Sequence, residues 1–374
     1  MDITTKAVHI GRDIEEYSGA ITPDISLSTT FIREPDGSYR QGYQYIRSNN
    51  PTRERLETAI ASLEGQKHGV AFASGLGAFS SLLLTLHSND HVILPDDMYY
   101  GGREAIDVMV RQYNIKVDYI DQQNLEELEK RVTSNTKLIC IETPSNPYLK
   151  IVDIQKIAQI GRSVGAIIAV DNTWATPLFQ NPISLGADLV LHSTTKYLGG
   201  HSDVQGGILI PSDEKTELYE KLRKIQKNFG SVPSPFDSWL LLRSIPTLPL
   251  RVRQQSENAL KIAQFLHDHT NIDQVLYPGL SNHKNYDVAK KQMKNGFGGM
   301  VSIITKKNEA FARKVVNSTK IFKQATSLGG VESLLEHRAS VEGPESKTSK
   351  NLIRLSIGIE DVNDLINDLE LALK

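Results

Sequence analysis

His192-Ser193-Thr194-Thr195-Lys196-Tyr197-Leu198-Gly199-Gly200-His201-Ser202-Asp203 follows an apolar run at residues 187–191. A run that short and apolar reads as a buried strand. The hydroxyl- and glycine-rich stretch then lies at that strand's carboxyl end, where open α/β sheets bind ligands. Lys196 can be desolvated there and used as a nucleophilic amine; a solvated loop lysine is the plainer alternative. Similar runs recur at residues 70–72, 91–94, 115–119, 138–141, 166–170 and 207–210. Helical patterns at residues 124–132 and 153–164 lie between several of them. Leu56, Ile60 and Leu63, with Gly65 as a stop, predict another helix. Strands separated by helices need crossover connections, so the fold class is α/β, with a mostly parallel central sheet flanked by helices.

The pattern changes twice along the chain. Residues 1–50 lack a long periodic segment and read as an N-terminal arm. Residues 51–246 carry the alternating pattern of a large domain. From 247 to 374 a helix near 251–269, strands near 299–304 and 352–357, and a final helix from Val362 predict a smaller α+β C-terminal domain. A length of 374 residues suits two or three such units.

Lys+Arg total 42 and Asp+Glu 44, a net charge of −2, so no basic excess exists to hold a nucleic acid. The least charged stretch, residues 69–86, is too rich in Ser, Thr and Gly for a membrane span. The single cysteine, Cys140, forms no internal disulfide and reads as a core residue. Met1 to Lys6 carry no apolar leader core, so a cytoplasmic chain is expected. His192 and His201 lack a third ligand at a recognised metal spacing and are expected to be structural.

Three further elements belong at the same sheet edge. Asp171, in Val170-Asp171-Asn172-Thr173, leaves a strand; it reads as a turn residue or as a carboxylate facing a ligand. With Lys196 it fits a pyridoxal phosphate site, lysine as Schiff base and aspartate on the pyridinium nitrogen. Ala73-Ser74-Gly75-Leu76-Gly77-Ala78 joins a strand to a helix, and free N–H groups at such a helix start suit a phosphate. The same glycines, with Asp96 about 20 residues on, also resemble a dinucleotide fingerprint, although Ser80 stands where the third Gly or Ala belongs. Tyr100, before Gly101-Gly102, is either a turn aromatic or a ring that stacks on a planar cofactor.

Together these runs resemble the cystathionine γ-synthase/γ-lyase family of fold-type I pyridoxal-phosphate-dependent enzymes, which act in trans-sulfuration. The resemblance spans nearly the whole chain. It is carried by the Ser193–His201 stretch, Glu142-Thr143-Pro144-Ser145-Asn146-Pro147, Val170-Asp171-Asn172-Thr173, Ser327-Leu328-Gly329-Gly330-Val331-Glu332-Ser333-Leu334 and Arg354-Leu355-Ser356-Ile357-Gly358. It implies pyridoxal 5'-phosphate held covalently by Lys196, which also shuttles protons. Asp171 would keep the ring nitrogen protonated, and Tyr100 would stack on the ring and assist at the leaving group. Gly75, Leu76, Ser193 and Thr195 would hold the phosphate. Asn146 and Ser327 would lie at the substrate, and Arg354 would clamp its α-carboxylate. Tyr45 and Arg47, in Tyr43-Gln44-Tyr45-Ile46-Arg47, resemble a segment that reaches a neighbouring subunit's site. A homo-oligomer, dimeric or tetrameric, is therefore implied.

Several positions depart from the family pattern. Thr326 stands where many members carry Glu before Ser-Leu-Gly-Gly. His337-Arg338-Ala339-Ser340-Val341-Glu342-Gly343-Pro344 replaces a His-Pro-Ala run, in a loop that the resemblance places at the substrate entrance and that is expected to mark a different specificity. Gly102 stands where methionine γ-lyases place Cys, which argues against that subgroup. The expected activity makes or breaks the Cγ–S bond of cystathionine or a homoserine derivative. O-acylhomoserine sulfhydrylase and cystathionine β-lyase are the near alternatives. A NAD-binding oxidoreductase built on Gly75 and Asp96 is the distant one.

Overall fold

Seven strands form the larger sheet: β1 (Val70–Phe72), β2 (His91–Pro95), β3 (Lys116–Ile120), β4 (Thr136–Glu142), β5 (Ile167–Asp171), β6 (Leu189–His192) and β7 (Gly207–Pro211). Their order is β1-β7-β6-β5-β4-β2-β3, in a computed structural model that describes residues 1–14 and 18–374. β7 runs antiparallel to both neighbours, and the other pairs are parallel. β2, β6 and β7 are buried along their whole length, as expected when helices cover both faces. The α/β reading and its seven strands are thus observed, with ends shifted by a residue or two.

Parallel pairing brings the strand ends into line. Glu142 at the end of β4 pairs with Asp171 at the end of β5, and Asp171 pairs with Leu191 of β6. Lys196 follows β6 by four residues, so the register itself carries Asp171 and Lys196 to one edge.

A second sheet of five strands has the order β10-β11-β12-β9-β8. It comprises β8 (Ile272–Leu276), β9 (Met300–Thr305), β10 (Lys323–Gln324), β11 (Leu334–His337) and β12 (Leu352–Ser356). The sequence anticipates β9 and β12. It misses β8, whose inner face shows only Ile272 and Val275 around exposed Asp273 and Gln274, with a register shift between Ile272 and Gln274. It misses β11 because that strand carries Glu336 and His337, both buried. The two sheets share a core: Trp174 and Tyr197 from one side pack in one cluster with Leu248, Met300 and Leu328 from the other.

Among the described residues, the first fifty hold a short α-helix, Ile3–His9, capped by the Asp2 carboxylate accepting from the Thr4 N–H, and a 3-10 turn, Arg40–Gly42. Two isolated bridges, Thr30 to Tyr45 and Arg33 to Tyr39, are the only pairings of this segment among the described residues. Ile14, Ile21, Leu27 and Ile32 each leave 65% or more of their surface exposed. Among the described residues, no helix is long and apolar enough to cross a membrane.

Candidate active site

A cavity of about 510 Å³ opens at the carboxyl edge of the larger sheet, lined among others by Ser74, Gly75, Leu76, Tyr100, Glu142, Asn146, Asp171, Ser193, Thr195, Lys196, Ser327 and Arg354. Every site residue named from the sequence lies there except Tyr45 and Arg47. Those two sit elsewhere: the Arg47 guanidinium donates to the Lys227 carbonyl and lies 5.6 Å from the Tyr45 ring centroid.

Gly75 begins a helix (Gly75–Leu83) whose N-cap, Ser74, accepts from the Gly77 N–H. As the first two residues of the helix, Gly75 and Leu76 have N–H groups without an intrahelical acceptor, and the helix dipole favours an anion beside them. A Cβ on Gly75 would fall 2.8 Å from the Ser193 Cβ, so only glycine lets the Lys196 segment approach this closely. Two hydroxyls flank that helix start and differ in what they can offer. Ser193 Oγ makes no hydrogen bond among the described residues, whereas Thr195 Oγ already donates to the Gly206 carbonyl and accepts its N–H.

The amine of Lys196 is pushed down to about 8 by burial, with the Arg354 charge adding to the effect. Its Nζ donates to Ser327 Oγ at 2.8 Å. Ser327 has φ +92, a region that disfavours residues with a Cβ. Gly329 (φ +78) then lets the loop lie on the Lys196–Tyr197 segment, where a Cβ would come 2.7 Å from the Tyr197 nitrogen.

Asp171 and Glu142 are neighbouring, half-buried carboxyls at the ends of β5 and β4. Burial raises both, Glu142 well above its ordinary range, because Asp171 repels a second negative charge beside it. Asp171 accepts the Thr173 N–H, and Glu142 accepts the Tyr99 N–H. Tyr100 is half-exposed and bonds Glu104 through its hydroxyl, which raises its pKa.

Arg354 is buried, and burial lowers it to about 10, so it remains cationic at neutral pH. Asn146 Oδ1 accepts from its Nη1 at 2.9 Å, the Ser327 carbonyl accepts from its Nη2, and Glu336 forms an ion pair with that same Nη2 at 2.8 Å. Trp174 lies 5.9 Å from the guanidinium. Sequence reasoning missed Glu336 and Trp174, and marked Arg338 only as part of a departure from the family pattern. Glu336 had a signal, a carboxylate inside an apolar strand, and it proves to pair with Arg354 across β11 and β12.

These residues fit pyridoxal 5'-phosphate on structural grounds. A free N–H pair and a free hydroxyl suit the phosphate, a half-buried carboxyl suits a protonated ring nitrogen, and a desolvated amine suits the aldehyde. The dinucleotide reading fails on geometry, because the Asp96 carboxylate is tied to Lys150 Nζ at 2.7 Å and does not line the cavity. Cys140 is buried in the core, as expected, which raises its thiol pKa. His192 is engaged in a buried bond to Glu64 at 2.6 Å, and His201 in one to the Gly199 carbonyl.

Comparison with known proteins gives the same answer. Residues 4–374 match the family described as Cys/Met metabolism PLP-dependent enzyme. A cystathionine γ-synthase from Mycobacterium tuberculosis is 44% identical over 375 residues, covering 99% of this chain and 96% of the relative. A cystathionine γ-lyase from Dictyostelium discoideum is 43% identical, with 99% and 97% covered. The crystal structure of metB from Corynebacterium glutamicum superposes with a TM-score of 0.97 at 43% identity, covering 100% of this chain and 98% of that one. The chain therefore belongs to the Cys/Met metabolism family of pyridoxal-phosphate-dependent enzymes.

Proposed function

We propose that the protein makes or breaks the Cγ–S bond of cystathionine or of a related homoserine derivative. The observation that carries this is the convergence of the Lys196 amine, the Asp171 carboxyl and the Arg354 guanidinium on one cavity. The γ-synthase, γ-lyase and β-lyase names of relatives 42–44% identical support the substrate class.

In this reading Gly75, Leu76 and Ser193, with Thr195 as an acceptor-side neighbour, hold the cofactor phosphate. Asp171 holds a proton at the ring nitrogen, Tyr100 covers the ring, and Lys196 binds the aldehyde carbon. Bound pyridoxal phosphate supplies an electron sink for charge developing on the substrate's carbons. Arg354 binds the α-carboxylate through its planar fork, oriented by Asn146 and by the Ser327 carbonyl. Lys196 Nζ takes the proton from Cα and then moves protons at Cβ and Cγ, and its lowered pKa suits a base working near neutrality. The Tyr100 hydroxyl faces the leaving group. The division at residues 246 and 247 is part of the proposal; it rests on the passage from the seven-stranded to the five-stranded sheet beyond the Ile245–Thr247 turn.

A homo-oligomer completes the site. Exposed Ile21, Leu27 and Ile32 on the arm, and the placing of Tyr45 and Arg47 away from this chain's own cavity, support an arm that serves a neighbouring subunit. The test is the keto acid released from cystathionine by cofactor-loaded protein, with Lys196→Ala as control. 2-Oxobutyrate from wild type alone supports Cγ–S chemistry, and pyruvate overturns it in favour of β-cleavage. If a homoserine ester plus cysteine gives cystathionine while cystathionine itself is inert, the direction is synthesis.

A further inference from the structure

Beyond the groups already given roles, the active-site cavity holds a second buried guanidinium. Arg338 is 4% exposed and lines the cavity together with Thr326 and Val341. Two carboxylates anchor it: its Nε donates to Glu342 Oε1 at 2.8 Å and its Nη1 to Glu336 Oε1 at 2.9 Å. Its Nη2 makes no hydrogen bond among the described residues and is not sealed from solvent. A rigid donor thus keeps access to the cavity.

We infer that Arg338 is a specificity-determining residue that hydrogen-bonds a carboxylate at the far end of the substrate's γ-substituent. This inference rests on the function proposed above and adds the class of side chain that the site selects. Glu336 Oε1 accepts from Arg338 Nη1 at 2.9 Å and forms an ion pair with Arg354 Nη2 at 2.8 Å, which keeps the two guanidiniums a few ångströms apart. A substrate held at Arg354 by its α-carboxylate therefore reaches Arg338 with a second carboxylate several atoms further along. The carboxyls lining the cavity, Glu142 and Asp171, both end strands of the larger sheet, whereas Thr326 beside Arg338 is neutral. Glu336 and Glu342 cancel the charges of the two guanidiniums, so the fork is stable without a ligand. What remains is a directional donor in a water-poor wall, and a buried, charge-assisted hydrogen bond there separates a carboxylate from a methyl group by about 10- to 100-fold.

The test is equilibrium binding to cofactor-loaded full-length protein, read by calorimetry. The probes are L-2-aminoadipate and L-norleucine, equal in chain length and differing in the terminal carboxylate. Wild type should bind aminoadipate about 10- to 100-fold more tightly, Arg338→Met should bring that ratio to near one, and Arg338→Lys should retain part of it. Equal wild-type affinities overturn the inference even if neither variant folds. A ratio that persists in Arg338→Met overturns it too, because the preference then belongs to another group. Failure to bind either probe by protein that has taken up cofactor sinks the amino-acid reading of the site and this inference with it. Binding of both probes without preference sinks only the inference.

Discussion

Lys196 Nζ donates to the hydroxyl of Ser327 at 2.8 Å, and Ser327 is held at φ +92. The lysine comes from the larger sheet and the serine from the loop before β11, so one bond ties the reacting amine to the second sheet. A residue with a Cβ in this backbone region costs on the order of 1–2 kcal/mol, and such strain collects at functional sites. Ser327→Gly and Ser327→Ala both remove the hydroxyl, but only glycine relieves the backbone. Both variants should lose activity to a similar extent, while Ser327→Gly should melt about 1–3 °C above Ser327→Ala in calorimetry. Equal melting temperatures would mean that the backbone at Ser327 carries no strain.

Cofactor capture should report the lowered pKa of Lys196. Only the neutral amine attacks an aldehyde, and this amine is pushed down to about 8 by burial and by Arg354. The rate at which cofactor-free protein takes up pyridoxal phosphate should rise about tenfold per pH unit below pH 8 and level off above it. The linked effect on stability has a definite sign. The folded amine binds its proton less tightly than the unfolded one, whose value is 10.5, so its burial penalty is complete below pH 8 and fades between pH 8 and 10.5. Cofactor-free Lys196→Met should therefore be more stable than wild type at pH 7, on the order of 2–3 kcal/mol by denaturant melts, with the gain vanishing above pH 10.5.

The paired carboxyls should respond differently to amidation. Burial and the neighbouring Asp171 charge raise Glu142 well above its ordinary range, which favours the neutral form that a glutamine imitates. Glu142→Gln should keep cofactor affinity within a few-fold, whereas Asp171→Asn should lose activity by about 10²-fold or more for want of a charge at the ring nitrogen. A raised carboxyl binds its proton more tightly in the folded state, so it costs stability as pH rises above 4.5. Melting temperature should accordingly fall less steeply from pH 5 to 8 in Glu142→Gln. A steeper fall would contradict the assignment.

Ser193 and Thr195 should be unequal partners of the phosphate. The Thr195 proton is committed to the Gly206 carbonyl and the Ser193 proton is free. Ser193→Ala should weaken cofactor retention in dialysis about 10- to 100-fold, the worth of one hydrogen bond to a charged group, and Thr195→Val clearly less. The reverse order would show that Thr195 turns its hydroxyl toward the phosphate on binding.

Arg47→Ala and Lys196→Ala should complement each other. If the arm serves the neighbouring subunit, mixed dimers hold one site with both defects and one with neither. Co-refolding the two inactive variants in equal amounts should restore about a quarter of wild-type activity. No recovery, with mixed dimers demonstrated by mass spectrometry, would place Arg47 in its own subunit's site.

The amino-acid sequence by itself determined the larger sheet, the lysine, the aspartate and the helix start. Each of these is local: an apolar run of strand length, then the residue types that its carboxyl end exposes, so that Ala187 to Lys196 carries both the strand and its chemistry. Periodicity does not report pairing, however, and strands such as β8 and β11 are polar enough at Asp273, Gln274, Glu336 and His337 to escape it. Only the tertiary structure decided that Glu142 faces Asp171, that Ser327 meets Lys196 from 131 residues away, and that Glu336 links Arg354 to Arg338. Register and loop closure set those contacts, and burial then shifts the pKa values of the groups brought together. The charge of a buried group belongs to its neighbours in space, and a linear sequence names those neighbours without saying which of them meet.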